Sequence, residues 1–300
     1  MTPSRREFLG AAAAAAGLAA LGCANALPAQ EERIRPFRLT LGEWSLHRRI
    51  RARELDPLDF PAFARDRFGL EGVDHVNQFF SDRAGDDAYF RELRRRTDDA
   101  GVRSVVLLCD EELALGDPDP AKRMLAVDRH RQWLDAAAIL GCRAIRVNAY
   151  SEGSADEQMR LCAEGLHRLC DVAPPGLLVF VENHGGLSSR GDWLAALLDA
   201  VGHPAIGSLP DFGNWQYAPG QWYDRYAGVR ELMPRADVVS AKAHDFDANG
   251  EETSTDFGRM LDVVATAGDV EWIEVEYEGD RLSEVDGIAA TIELIHRHLQ

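Results

Sequence analysis

Basic residues are scarce relative to acidic ones in this chain of 300 residues. It contains 33 lysines and arginines against 50 aspartates and glutamates, which gives a formal net charge of −17. Such a surface repels the phosphate backbone of nucleic acid and has no electrostatic attraction to anionic lipid. We therefore expect no nucleic acid partner. A neutral small molecule or a divalent cation suits this field better than a polyanion.

Cysteines are also few, and five of them in a chain of this length do not make a disulfide scaffold. Cys162 and Cys170 lie on one predicted helix, about 12 Å apart along its axis and beyond disulfide reach. Cys109 and Cys142 fall in or beside predicted strands, where cysteine behaves as a small buried hydrophobic residue. The folded domain should therefore not depend on oxidation.

Long apolar runs are missing as well, and the one near the start has another explanation. The run from Ala11 to Gly22 is shorter than the ~20 residues that a transmembrane helix needs. It follows Arg5 and Arg6, which match the twin-arginine type of export signal. We interpret residues 1–26 as a signal peptide recognised by the twin-arginine export machinery.

This interpretation leaves two points open. An ordinary Sec signal with a chance arginine pair is the alternative to the twin-arginine type. The chain would be attached to a membrane only if Cys23 carried lipid. Residues 27–36, rich in proline, alanine and charge, are interpreted as a disordered lead-in. The domain over residues 37–300 should then be periplasmic or otherwise extracytoplasmic.

From residue 37 onward, short runs rich in β-formers alternate with longer runs of helical period. The predicted strands are 38–44, 72–77, 102–109, 143–149, 176–182, 205–211, 237–243 and 271–277. The predicted helices are 59–68, 87–100, 119–140, 154–172, 190–201, 221–233, 254–267 and 284–299. This alternation predicts parallel βαβ units and, with eight of each, a single-domain (β/α)8 TIM barrel. An open doubly wound sheet is disfavoured because no Gly-x-Gly-x-x-Gly motif follows the first strand.

Polar residues recur where the predicted strands end, which is where such barrels carry their active sites. In chain order they are Trp44, His47, Asn77, Asp110, Glu111, Asn148, Glu182, Asn183, His184, Asp211, Asn214, Lys242, His244 and Glu276. Glu182 ends a run that is apolar on both faces, where an unpaired carboxylate is costly. On the last strand, residue parity turns Glu274 and Glu276 inward, and Glu276 is nearer the end.

Two glutamates, an aspartate and a histidine at the ends of strands five to eight predict a divalent metal site. Its ligands would be Glu182, Asp211, His244 and Glu276, and an oxygen-rich set with one imidazole suits Mn, Mg, Co or Zn. Two structural roles remain as alternatives: a buried ion pair for Glu182 and a loop cap for Asp211. Glu274 is the alternative to Glu276 as the ligand from the last strand.

Four segments near the predicted strand ends carry a recognisable pattern. They are VENHGGLSS (181–189), LPDFGNW (209–215), VSAKAHDFDANGEE (239–252) and VEYEGD (275–280). In these segments the chain resembles the sugar phosphate isomerase/epimerase family with the xylose-isomerase-like TIM barrel. The likeness continues in WSLHR (44–48), FGLEGVDHVNQFF (68–80) and AVDRHRQWLDAAAILGCRAIRVNA (126–149), so it covers nearly the whole domain. These motifs are specific for the superfamily and much less so for a substrate.

The resemblance implies that a metal polarises a sugar carbonyl while two glutamates move a proton through an ene-diolate. The implied catalytic residues are Glu182 and Glu276, with Lys242 as a further candidate. Substrate contacts are expected from Trp44, His47, Asn148, His184 and Asn214, although Trp44 could plug the barrel and the two histidines could be surface residues.

The chain departs from the family's pattern at two places. Ser240, Lys242 and His244 compete for the position of the metal-binding histidine on strand seven, and Asn214 stands where some epimerases place a histidine. The sequence therefore predicts an exported, metal-dependent isomerase or epimerase of an unphosphorylated sugar. A lyase or hydrolase of keto-glycosides and a non-catalytic carbohydrate-binding barrel are the alternatives.

Overall fold

The computed structural model describes residues 37–299, so the predicted signal peptide and lead-in lie outside the described residues. Eight parallel strands form its central sheet, as predicted. They are β1 (Arg38–Gly42), β2 (Gly72–Val76), β3 (Arg103–Leu108), β4 (Ala144–Val147), β5 (Leu178–Glu182), β6 (Ile206–Leu209), β7 (Val238–Ala243) and β8 (Trp272–Tyr277). Each observed strand lies within its predicted range.

The sheet closes into a nearly complete barrel. Strand β1 pairs in parallel with both β2 and β8, and the remaining neighbours follow in chain order. Strands β6 and β7 meet through bridges from Ser208 to Ala236 and from Asp211 to Ser240. The amide of Ser240 also donates to the carbonyl of Pro210 at 2.8 Å. The carboxyl ends of all eight strands therefore surround one mouth.

Among the described residues, a short helix over His47–Arg51 follows β1, and eight longer helices form the outer layer. They are α1 (Phe60–Phe68), α2 (Asp87–Asp99), α3 (Pro120–Leu140), α4 (Ala155–Val172), α5 (Gly191–Val201), α6 (Arg225–Leu232), α7 (Phe257–Ala267) and α8 (Glu284–His298). Most begin beside an acidic or serine N-cap that accepts a backbone N–H, which satisfies donors left free at a helix start. Within the described residues, none is long and apolar enough to cross a membrane.

The largest difference from the predicted bounds concerns α6, which was expected over 221–233. Residues Gln216–Ala218 and Gln221–Trp222 instead form a small antiparallel hairpin between β6 and α6. The helix begins only after Asp224, whose side chain accepts the N–H groups of Tyr226 and Ala227. The prediction from apolar spacing was wrong here because it assigned residues 221–224 to the helix.

Residue parity on β8 is as the sequence predicts. A Cβ atom added at Gly287 of α8 would overlap the ring of Tyr277, so this helix packs directly against the outward face of β8. Ile273 and Val275 share that face, and Glu274 and Glu276 therefore point into the barrel. The four described cysteines, Cys109, Cys142, Cys162 and Cys170, are buried and free, which agrees with the prediction that no disulfide is needed.

Gly165 on α4 provides a test of the packing between the outer layer and the loop after β3. A Cβ atom at this position would collide with the backbone carbonyl of Leu115, which cannot move like a side-chain tip. We expect Gly165→Ala to lower the free energy of unfolding by about 1–3 kcal/mol through overpacking, although alanine is the better helix former. Urea denaturation measures the change.

Ala163→Gly, on the same helix, is the matched control. This reverse substitution should cost about 1 kcal/mol, the usual difference in helix propensity. Opposite substitutions that are both destabilising would establish the close contact at Gly165. A more stable Gly165→Ala variant would contradict it.

Candidate active site

A buried lysine lies among carboxylates at the mouth of the barrel. Lys242 on β7 places its Nζ atom 3.0 Å from Oε1 of Glu276 and 3.0 Å from Oε2 of Glu278. Oδ2 of Asp211 is 3.9 Å from the same nitrogen, and the lysine side chain is only 4% exposed. The pKa of Lys242 is raised: burial alone would lower it, but Glu276, Asp211 and Glu278 favour the charged ammonium.

A buried arginine compensates the second group of carboxylates. Nε of Arg146 on β4 is 2.7 Å from Oε2 of Glu182. The same guanidinium contacts both oxygens of Asp110. The amide of Asn148 donates to Oδ1 of Asp110 at 2.8 Å. Burial opposes ionisation of Asp110, but the charge and hydrogen bonds of Arg146 bring the pKa of this carboxyl below its ordinary value.

Asp211 and two asparagines connect the lysine with the arginine. Oδ1 of Asp211 accepts the backbone N–H groups of Gly213 and Asn214, both at 2.7 Å. The side-chain amide of Asn214 donates to Oε1 of Glu182 at 3.0 Å. Asn183 accepts the N–H of Asp211 and donates to its carbonyl, which holds the end of β6 in place. Polar contacts thus run without interruption from Asp110 to Glu276.

Aromatic side chains form one side of the mouth. Trp44 donates from Nε1 to Oε1 of Glu278 at 2.7 Å, so it is directly connected to the carboxylates around the lysine. Its ring stacks on His47 with centroids 4.9 Å apart and on Phe79 with centroids 6.0 Å apart. His47 is partly buried, whereas His184 is exposed. Trp44 and His47 therefore lie together beside the carboxylates.

A second set of acidic side chains lies deeper in the barrel. Asp74 on β2 accepts the N–H of Val106 at 2.8 Å, and both carboxylate oxygens of Glu274 lack a hydrogen bond. Burial raises the pKa of Asp74 to about 8, although its contacts with Thr40 and Val106 act in the opposite direction. Burial and the neighbouring carboxyl of Asp74 likewise raise the pKa of Glu274. The raised pKa values of both carboxyls favour their protonated, neutral form.

The predicted metal ligands are only partly brought together. Glu182, Asp211 and Glu276 belong to the network described above, but His244 has a side chain that is 47% exposed and an Nε2 atom 4.0 Å from Glu278. Among residues 37–299, no three histidines, cysteines or acids are arranged to hold a metal ion. The carboxylates instead face Lys242 and Arg146, so these residues as arranged do not fit a divalent ion.

Two members of this network were missed by the sequence reasoning. Arg146 sits inside β4, where alternation turns it toward the barrel axis with Asn148, and a charged residue in so short a buried strand is itself a signal. Glu278 follows Glu274 and Glu276 with the same parity. Extending the alternation of β8 by two residues would have found it.

This chain belongs to the Xylose isomerase-like TIM barrel family, whose model matches residues 62–298. The strand order, the barrel closure and the acidic strand ends described above agree with that assignment. No curated protein matches the chain. The similar proteins described next are solved structures with a similar fold.

Three solved structures illustrate the likeness. The 3-keto-D-glucoside 4-epimerase of E. coli has a TM-score of 0.65 at 12% identity, covering 86% of this chain and 99% of that one. A sugar phosphate isomerase/epimerase of Parabacteroides distasonis has a TM-score of 0.67 at 13% identity, covering 88% and 96%. The IOLI protein, solved with a zinc atom, has a TM-score of 0.67 at 12% identity, covering 87% and 99%. At these identities the likeness shows the fold alone.

The raised pKa of Asp74 leads to a prediction about pH. The folded protein keeps the proton up to a pKa of about 8, whereas the unfolded chain releases it near 3.8, the ordinary pKa of an aspartate, so unfolding becomes easier as pH rises between these values. One such group contributes a slope of up to about 1.4 kcal/mol per pH unit. Asp74→Asn cannot ionise, and it should show a shallower loss of stability from pH 6 to pH 8.

Denaturant unfolding at several pH values measures how steeply the free energy of unfolding changes with pH in the wild type and in Asp74→Asn. Glu274→Gln, which removes the neighbouring acid whose pKa is also raised, is a parallel variant and should flatten the dependence in the same direction. An Asp74→Asn variant with the wild-type slope would show that Asp74 is ionised in the folded protein.

Proposed function

We propose that this protein is a sugar isomerase or epimerase that moves a proton through an ene-diolate. The observation that carries the proposal is the placement of two buried carboxylates, Glu182 and Glu276, in one polar network around a buried ammonium. The network lies at the barrel mouth of a family in which active sites occupy this end. Two carboxylates and one cation are the groups that proton transfer next to a carbonyl requires.

The proposed step begins with Glu276 removing the proton from the carbon beside a sugar carbonyl. The electron pair of that C–H bond forms a carbon–carbon double bond, and the carbonyl oxygen gains the negative charge. The Lys242 ammonium stabilises this oxygen because it donates N–H bonds at the level of Glu276. In isomerisation the proton of the neighbouring hydroxyl passes to the charged oxygen, a carbonyl forms where that hydroxyl was, and Glu182 delivers a proton to the former carbonyl carbon. In epimerisation Glu182 delivers its proton to the opposite face of the carbon that lost one, and the original carbonyl re-forms.

Arg146 holds Glu182 in position for this role. Its guanidinium lies between Glu182 and Asp110, and it is buried, so the orientation of the Glu182 carboxylate is set before substrate arrives. Asn214 fixes the other oxygen of the same carboxylate. Asp211 orients Asn214 through its backbone N–H and faces the lysine. We assign positioning roles to Arg146, Asn214 and Asp211.

The substrate is proposed to be an unphosphorylated sugar or sugar derivative. Carboxylates flank both cations of the network, so a doubly charged phosphate group beside either one would meet strong repulsion. The net charge of −17 also disfavours an anionic substrate. Trp44, stacked with His47 beside the carboxylates, is the proposed aromatic contact of the sugar, and Asn148 and His184 are the further proposed contacts.

A keto-glycoside is a second substrate class, because one structural neighbour is a 3-keto-D-glucoside 4-epimerase. The same base could remove a proton beside the keto group, after which the aglycone would leave as the double bond forms. A barrel that binds carbohydrate without turnover is the non-enzymatic alternative. A screen of free sugars and 3-keto-glycosides in deuterated water separates these three functions.

Glu276→Gln tests the proton-transfer role. Glutamine keeps the shape and can accept the bond from Ser240, now 2.7 Å long, but it cannot take a proton. We expect substrate affinity to change little and turnover to fall by roughly 10²–10⁴-fold, the usual scale for one general acid or base. In deuterated water the wild type should place deuterium beside the carbonyl and the variant should not, as measured by NMR.

Glu274→Gln is the matched control, two residues deeper on the same face of β8. Its buried carboxyl is a neutral acid, so this variant should retain most of the activity. Product formed by the wild type without solvent deuterium would indicate a hydride shift or direct hydrolysis. Full turnover in the Glu276→Gln variant would move the role to Lys242 or His244.

We also propose that the protein acts outside the cytoplasm. The proposal depends on Arg5 and Arg6 ahead of the apolar run in residues 1–26. Replacing both arginines with lysine should leave the chain in the cytoplasm, because the twin-arginine receptor reads the pair itself rather than its charge. Cell fractionation of the two forms measures this. Unchanged export of the lysine variant would identify a Sec signal instead.

A further inference from the structure

One structural neighbour was solved with a zinc atom. In this chain a lysine lies among the carboxylates at the barrel mouth. The register of the last two strands places that lysine. Lys242 on β7 is the Cα partner of Glu276 on β8, and Ser240 is the partner of Glu274. His244 comes after the end of β7, so the inward position of β7 at the height of Glu276 belongs to Lys242.

The ammonium already makes the contacts that a bound cation would make. It lies within ion-pair distance of Glu276, Glu278 and Asp211, and its side chain is 4% exposed. Oδ2 of Asp211 has no hydrogen bond, and its nearest opposite charge is this ammonium. A divalent ion placed among the same oxygens would meet a like charge at short range.

The remaining predicted ligand is occupied from the other side. Oε2 of Glu182 is 2.7 Å from Arg146, and Oε1 accepts the amide of Asn214. Of the predicted carboxylate ligands, Glu182 is paired with Arg146, and Glu276 and Asp211 face Lys242. A metal bound by all three would therefore have to displace both cations from the buried network. The donor set lacks an inward imidazole as well.

We propose that Lys242 takes the place of the divalent metal in this protein, which works without a metal ion. The lysine supplies a fixed positive charge at the height of Glu276, where a sugar oxygen would become negative. The stabilisation of the sugar oxygen by Lys242 rests on the function proposed above, whereas the claim that no metal ion is bound does not. The chemistry requires no additional reactant, because one carboxylate takes up a proton, the other supplies one, and exchange with water restores both.

Metal content of the purified mature protein tests the proposal. The protein is dialysed against excess Mn²⁺, Co²⁺ or Zn²⁺, freed of unbound ion, and measured by plasma mass spectrometry. We expect far less than one equivalent of each metal and no change in melting temperature on adding it. His167 and His203 lie near Asp171 on the outer surface, so a His203→Ala background removes adventitious binding there.

Lys242→His is the informative variant, because it removes the ammonium and brings an imidazole to the same inward position. It should retain stoichiometric metal and gain thermal stability from it, since the introduced imidazole would join Asp211, Glu276 and Glu278, the three carboxylates that face Lys242. Lys242→Met removes the charge without adding a ligand and should bind metal less well than the histidine variant.

The outcomes separate this proposal from the proposed function. Stoichiometric metal in the wild type that is lost in Asp211→Ala would overturn the proposal and restore the set Glu182, Asp211, His244 and Glu276. A folded Lys242→His variant that binds no metal would contradict the claim that Lys242 excludes it. If that variant fails to fold, wild-type metal content decides alone. Sugar turnover that survives chelator supports both proposals, whereas a metal-free protein inactive on every sugar defeats only the function.

Discussion

Compensation of buried charge is the constraint on which the mouth of this barrel depends. Five acidic side chains, Asp110, Glu182, Asp211, Glu276 and Glu278, meet two cations whose side chains are each only 4% exposed. An isolated buried charge costs far more than a folded protein's net stability, so each group needs a partner or a proton. Arg146 and Lys242 supply the partners. The deeper acids Asp74 and Glu274 have no cationic partner of this kind, and burial raises their pKa values, which favours the protonated form.

The barrel makes this compensation possible because it brings the ends of distant strands to one place. Arg146 and Glu182 come from neighbouring strands β4 and β5, and Lys242 and Glu276 come from neighbouring strands β7 and β8. The link between these two pairs runs through Asp211 and Asn214 after β6. Every contact in the network therefore joins adjacent strands or the loops that follow them. A one-residue slip in either register would turn the charges into the helix layer.

The fold could be predicted from the sequence because hydrophobic period and turn residues are local signals. Eight strands with apolar faces and eight long helices, six of them with a side-chain N-cap, leave few topologies open. The predicted bounds agree with the structure to within about three residues except near the hairpin before α6. Candidate residues such as Glu182, Asp211 and Glu276 were also accessible, because parity and strand ends assign them to the mouth. Their partners were not. Which cation faces which carboxylate depends on inter-strand register, which a single sequence does not encode locally.

The position of Lys242 shows why that limit matters for chemistry. From the sequence, Ser240, Lys242 and His244 differ by steps of two and all have the parity of an inward residue. The register with β8 separates them by height: Ser240 is level with Glu274, Lys242 with Glu276, and His244 lies beyond the strand and is half exposed. If the strand β7 were shifted by two residues relative to β8, the imidazole of His244 would take the place of the Lys242 ammonium beside Glu276. The same barrel would then hold a metal-ligand set instead of an internal ion pair, so one register position decides where the positive charge of the site comes from.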